Sequence, residues 1–137
     1  MKCMGLDLGS RTLGIATSDA LGWFASSLTT IRFEDDDYET ALEKLLPLIK
    51  EHRIQTIVLG LPKHMNGDMG EKCDMVLAFK ARLEELTHLE VITVDERWTT
   101  VIANRRLLDA DLSRKKRKEV IDKMAAVEIL QGYLNRK

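Results

Sequence analysis

A chain of 137 residues with 31% charged side chains divides them almost evenly, 21 Lys and Arg against 22 Asp and Glu, for a formal net charge of -1. Overall charge therefore selects no partner, and any affinity for nucleic acid has to come from clustering. The length fits one domain, residues 1–137, and Cys3, Cys73, His52, His64 and His88 are spaced for neither a disulfide framework nor a His/Cys metal cluster.

Lys2 to Asp19 reads KCMGLDLGSRTLGIATSD. Apolar Cys3, Met4, Leu6 and Leu8, a Gly9-Ser10-Arg11-Thr12 break, and then Leu13, Ile15 and Ala16 predict two short strands folded back on each other. Asp7 lies within the first strand, crowded by apolar neighbours, and a carboxylate buried there needs a partner to offset its desolvation. Two readings stand at this point: Asp7 caps the Gly9 turn through backbone N–H groups, or it meets a cation supplied from elsewhere. The opening residues lack the basic and apolar regions of a signal peptide, and no apolar run is long enough to cross a membrane. A reducing cytoplasm and no membrane partner are the expectation.

After Ala20-Leu21-Gly22, the stretch Trp23 to Phe33 reads as a third antiparallel strand. The acidic run Glu34 to Asp37 stands ahead of a helical pattern (Leu42, Leu45, Leu46, Ile49), where carboxylates favour the positive end of a helix, so it reads as a cap and not as a metal site. Pro47 falls inside that pattern and predicts a kink or irregularity. Thr56 to Leu61 is a continuous apolar run entered from a helix, hence a buried parallel strand. The loop Pro62 to Gly70 follows at its carboxyl end, where open α/β sheets bind ligands. A second amphipathic helix (Val76, Leu77, Phe79, Ala81, Leu83, Leu86) leads to a parallel strand, Val91 to Val94, that runs into Asp95-Glu96-Arg97. A helix from Thr99 or Thr100 to Leu108, a polar connector through Ser113 and a final helix from about Lys116 to Leu134 complete the order. The fold class is α/β: a mixed five-stranded sheet, three antiparallel strands followed by two parallel ones, with helices packed on it.

Three acids on separate elements are then candidates to meet. Asp7 is on the first strand, Asp95 and Glu96 follow the last, and Asp122 shares a helical face with Ala125, Ala126 and Ile129. Converging carboxylates repel one another unless a cation lies between them. Mg²⁺ prefers a few carboxylates with waters and phosphate oxygens. Two such ions about 3.5–4 Å apart would serve both the attacking water and the leaving oxygen of a phosphodiester displacement. The chain offers no convincing Ser, Cys or His nucleophile set for another hydrolysis.

Arg114-Lys115-Lys116-Arg117-Lys118 sets five cations at the start of the last helix. Such runs are usually solvated surface. Here each is disfavoured by the positive end of the helix dipole, by ~0.3–1 kcal/mol, which points to a ligand, and phosphate fits. Arg11, Lys63, Arg97, Arg105 and Arg106 could extend the same surface.

GLDLGSRTLGIATSD, GLPKHMNGDMG, DERWTT and IDKMAAVEILQGYL, in this order over nearly the whole chain, resemble the YqgF/RuvX family of Holliday-junction resolvases in the ribonuclease H-like superfamily. The resemblance implies a ribonuclease H-like fold and a nuclease using Mg²⁺ or Mn²⁺, with two ions expected, on structured nucleic acid. It also implies a role at the 5′ end of pre-16S rRNA, in contact with ribosome precursors, or on four-way DNA junctions. By position, the family's acids match Asp7, Glu96 and Asp122, selecting Glu96 over Asp95. The chain departs from the family at Lys123-Met124, which sets a cation beside Asp122. The nucleic-acid contacts expected are Arg11, Lys63, Arg97, Arg114, Lys115, Lys116 and Arg117, in a monomer or a homodimer. One alternative is a non-catalytic module of the same fold that binds RNA or an assembly factor through the basic run. Another is a phosphate-binding hairpin of the actin and sugar-kinase type through Asp7, Gly9 and Gly14, although those folds need a second domain that this length does not supply.

Overall fold

In the computed structural model, which describes residues 1–61, 71–95 and 114–136, the elements follow the expected order. They are β1 (Cys3–Leu8), β2 (Thr12–Ser18), β3 (Ala25–Arg32), α1 (Tyr38–Glu51), β4 (Thr56–Leu61), α2 (Glu71–Thr87), β5 (Glu90–Asp95) and α3 (Arg114–Arg136). The five strands form one sheet in the order β3-β2-β1-β4-β5. β1 pairs antiparallel with β2 and parallel with β4, and β4 pairs parallel with β5. The loop Pro62 to Gly70 and the helix expected over Thr99 to Leu108 lie outside the described residues.

Strand alternation gives the sheet two packed faces. On one, Met4, Leu6 and Leu8 of β1, Leu13 and Ile15 of β2 and Ile57 and Leu59 of β4 meet the buried stripes of α1 and α2. On the other, Cys3, Ala16, Val58 and Val94 pack beneath Ala126, Ile129, Leu130 and Leu134 of α3. Cys3 and Cys73 are both free and buried, in clusters on opposite faces.

Local chemistry sets the ends of these elements. Asp37 caps α1, accepting from the Thr40 N–H at 3.2 Å and the Thr40 hydroxyl at 2.7 Å, and those bonds hold its pKa below the usual aspartate value. The acidic run thus caps a helix, as its position predicts. Tyr38 stacks edgewise between Phe33 and Phe79 and donates to Asp36 Oδ1 at 3.1 Å; burial first, then that bond, pushes its pKa up to about 12. α1 continues through Pro47 without a break, held by Ala41, Leu42, Leu45 and Ile49 on its buried face. In α2, Ala81 and Leu86 stay exposed although they fit the apolar pattern, and Cys73, Val76, Phe79 and Leu83 form the buried stripe. The third strand begins at Ala25 and not at Trp23, because Asp19 Oδ1 accepts the N–H groups of Trp23 and Phe24 and draws both residues into the turn. The last helix begins at Arg114, two residues earlier than its pattern suggests.

α3 comes unusually close to the sheet at Gly5. A Cβ placed there would stand 2.6 Å from Leu130 Cβ and 2.9 Å from the Ala126 carbonyl oxygen. Neither atom belongs to the flexible end of a side chain. Gly5→Ala is therefore expected to destabilise the fold by about 1–3 kcal/mol through forced separation of α3 from β1. Urea unfolding checks this, and an unchanged midpoint would mean that α3 docks more loosely.

Candidate active site

The centre of the sheet delivers Asp7 to its carboxyl end. β1 is flanked by β2 and β4, and Asp7 is the half-buried position in an otherwise fully buried strand. It shares the α3 face with Cys3 and Gly5, two and four residues earlier. The neighbours in register are small. Gly14 of β2 stands directly opposite Asp7, and the pairing of Leu6 with Leu59 sets Gly60 of β4 level with it on the other side. The carboxylate thus rises between two residues that have no side chain. Its carboxylate oxygens are hard donors of the kind that Mg²⁺ takes. The sequence brings Gly14 forward only through the phosphate-hairpin alternative and does not single out Gly60, because a flanking role appears only once strands far apart in sequence are paired.

Backbone contacts brace the turn that follows Asp7. The Gly9 N–H donates to the Thr12 carbonyl at 2.8 Å, the Asp36 N–H to the Ser10 carbonyl at 2.8 Å and the Phe33 N–H to the Arg11 carbonyl at 2.9 Å. Arg11 projects from this turn, with Nε 3.5 Å from Asp35 Oδ1 and the two side chains 68% and 61% exposed. An exposed pair of this kind is weak, so Arg11 remains accessible to a phosphate at the Asp7 end of the sheet.

α3 runs antiparallel to β1. Tyr133 lies near Cys3, which adds to the upward pKa shift that burial gives it, while Leu130 and Ala126 lie over Gly5. Position 122 belongs to the same helix, one turn before Ala126 and thus toward the Asp7 end of β1. Of Asp122 and the basic positions Arg114, Lys115, Lys116 and Arg117, the backbone is described as helical and the side chains are not. Lys63, Glu96 and Arg97 lie outside the described residues. Asp95 is described: it is buried at 6% exposure, ends β5 opposite Leu61, and has the parity of Val91 on the α1 and α2 face, away from Asp7. Among the described residues no three His, Cys, Asp or Glu side chains form a group able to hold a metal, and no helix is long and apolar enough to cross a membrane.

Comparison with solved structures shows where the fold recurs. The fold is similar to that of Thermus thermophilus RuvC, solved in complex with a Holliday junction substrate, at TM-score 0.60 and 12% identity, covering 99% of this chain and 95% of that one. The fowlpox virus Holliday junction resolvase matches at TM-score 0.56 and 12% identity over the full length of both chains. A ROK family protein from Streptococcus pneumoniae shares the fold at TM-score 0.52 and 16% identity, but this chain covers only 40% of it. That likeness thus extends to less than half of the larger protein. The resolvase likenesses establish the ribonuclease H-like fold, with the strand order seen here.

Sequence relatives are much nearer. A protein of Oceanobacillus iheyensis with the provisional name pre-16S rRNA nuclease is 51% identical over 137 residues, all of both chains. One from Staphylococcus aureus with the same provisional name is 50% identical over 135 residues, 98% of this chain and 95% of that one. The family model RuvX, described as Holliday junction resolvase, matches residues 1–136, and the chain belongs to that family.

Proposed function

We propose that this chain is a divalent-metal-dependent nuclease that hydrolyses phosphodiester bonds in structured nucleic acid, at the 5′ end of pre-16S rRNA or in four-way DNA junctions. The observation that carries this reading is Asp7: a half-buried carboxylate at the carboxyl end of the central strand, between Gly14 and Gly60, on the face that α3 covers. The family description and the provisional names of the half-identical relatives support the nuclease class and the two substrates.

Asp7, Glu96 and Asp122 would hold the metal, Mg²⁺ or Mn²⁺, as two ions. The chemistry such ions supply is activation of a water and stabilisation of the leaving oxygen in an in-line displacement. The chain's own contribution is positional. Asp7 is fixed by the ladders on both sides of β1. The orientation of Asp95 toward the other face supports Glu96, its neighbour in the chain, as the acid from β5's end. The start of α3 gathers Arg114, Lys115, Lys116 and Arg117, which would hold the phosphate backbone, with Arg11, Lys63 and Arg97 extending that grip.

Two experiments test the reading. Precursor rRNA and a branched DNA are incubated with the wild type and with Asp7→Asn in Mg²⁺ or Mn²⁺. The variant should lose more than about a hundredfold in cleavage rate while keeping its fold, and chelation of the wild type should abolish cutting until metal is restored. Equal cutting by both proteins would remove Asp7 from the site. Binding of both substrates without cutting by the wild type would favour the non-catalytic module.

The grip is measured separately, by nucleic-acid binding against salt. Replacing Lys115, Lys116 and Arg117 with Ala should weaken binding and flatten the log–log salt slope by up to about 0.7–0.9 per cation removed. An unchanged slope would return the run to plain surface.

A further inference from the structure

The carboxyl ends of α1 and α2 meet at the end of the sheet opposite Asp7, where Ile54 leads into β4 and Leu89 into β5. A groove of about 410 Å³ opens between them. Leu46, Ile49, Ile54, Leu86 and Leu89 give it an apolar lining, to which Lys50 and Arg53 add charge. Ile49 and Ile54 belong to the core, but Leu46 and Leu89 are half-buried and Leu86 is 38% exposed, so the fold leaves apolar surface here uncovered.

The charge in this groove is of one sign. Among the described residues no carboxylate lines it, and the side chains of Lys50 and Arg53 make no hydrogen bond or ion pair. Further along α2 the cations are paired, Lys80 with Glu84 at 2.8 Å and Arg82 with Glu39 at 3.0 Å and Glu85 at 3.3 Å. Lys50 has a local reason for its place, since a cation favours the negative end of a helix. Arg53 stands past that end.

Arg53 also works against its own backbone. α1 closes with the Ile54 N–H donating to the Ile49 carbonyl at 3.1 Å and the Arg53 N–H to the Lys50 carbonyl at 3.2 Å, and this closure holds Arg53 in the left-handed region at φ 53°. Glycine is the usual residue there, because a Cβ disfavours that conformation. An exposed arginine at a glycine position, beside an apolar groove, is better explained by something it binds. His88, directly after α2, is likewise left-handed at φ 59°. Both helices that frame the groove thus end on a side chain able to carry positive charge.

We propose that this groove docks an acidic amphipathic segment of a partner protein, its apolar side chains against Leu46, Leu86 and Leu89 and its carboxylates on Lys50 and Arg53. Charge complementarity selects the occupant, since cations unaccompanied by carboxylates suit an acidic partner. The aliphatic lining selects a peptide over nucleic acid, because it offers no aromatic ring on which a base could stack. An apolar groove between helices with charge at its margin is the setting in which amphipathic helices dock. A segment bound at the amino ends of β4 and β5 leaves the Asp7 end of the sheet open, so docking does not depend on the chemistry proposed there.

The probe is a fluorescein-labelled helical peptide of Leu, Ala and Glu with leucines at i, i+3, i+4 and i+7, compared with its counterpart carrying Lys in place of Glu. Anisotropy is followed as the full chain is added, and ¹H–¹⁵N shifts locate the contact. The Glu peptide should bind about tenfold or more tighter than the Lys peptide and shift the amides of residues 46–54 and 86–89. Leu86→Gln should weaken it about tenfold with an unchanged far-ultraviolet spectrum. Arg53→Gly should weaken it about threefold or more while raising the urea midpoint, because glycine relieves the left-handed position. A lowered midpoint in Arg53→Gly would make the arginine structural and overturn the proposal. Equal binding of the two peptides overturns it, as do shifts located elsewhere or none. So does an oligouridylate that shifts the same amides where the Glu peptide does not, or concentration-dependent shifts of these amides in the chain alone, which would give the groove to a second copy.

Discussion

The approach of α3 to β1 at Gly5 is the contact on which the rest of the arrangement depends. It requires a glycine in a central strand, where glycine loses strand propensity and side-chain packing, and it is accompanied by Ala125 and Ala126 on the facing turn of the helix. A larger residue at either place would lift α3 from the sheet. The helix would then lose its hold on Cys3, Ala16, Val58 and Val94, and the Asp7 end of the sheet would lose its roof. Close packing here does more than fill a core. It sets the height of α3 above β1.

The sheet supplies the other half of that geometry. Parallel pairing of β1, β4 and β5 brings their carboxyl ends to one side of the molecule, and the antiparallel return of β2 places Gly14 opposite Asp7. Between two glycines, Asp7 is the half-buried position in its strand. The same alternation that turns Asp7 toward α3 turns Asp95 toward α1 and α2, so these two carboxylates belong to different sides of the sheet.

Much of this was legible in the residues, and the exceptions share a physical cause. Asp7 announces itself because a carboxylate in an apolar strand demands an explanation. The order of elements along the chain and the directions of the strands follow from strand length, turn residues and the helices between them. Gly60 was invisible because its significance comes from register with β1, which no local pattern encodes. Trp23 and Phe24 read as strand because β-propensity counts their rings and ignores Asp19, whose carboxylate competes for their N–H groups. Pro47 was expected to disturb α1, yet its missing N–H is a small loss beside four buried apolar residues that keep the helix continuous.

The two ends of the sheet also differ in what they ask of the chain, which explains how a protein with no overall charge bias can carry two distinct surfaces. The start of α3 concentrates five cations by local clustering, without a basic net charge. At the opposite end, the twelve residues from Ala20 to Ile31 carry no charge. α3 reaches both ends. Its first residues hold the cations and its last turns, through Gln131 and Leu134, hold the apolar turn. A single helix docked on Gly5 therefore positions the cationic surface and braces the neutral one, and a change that loosens that docking acts on both.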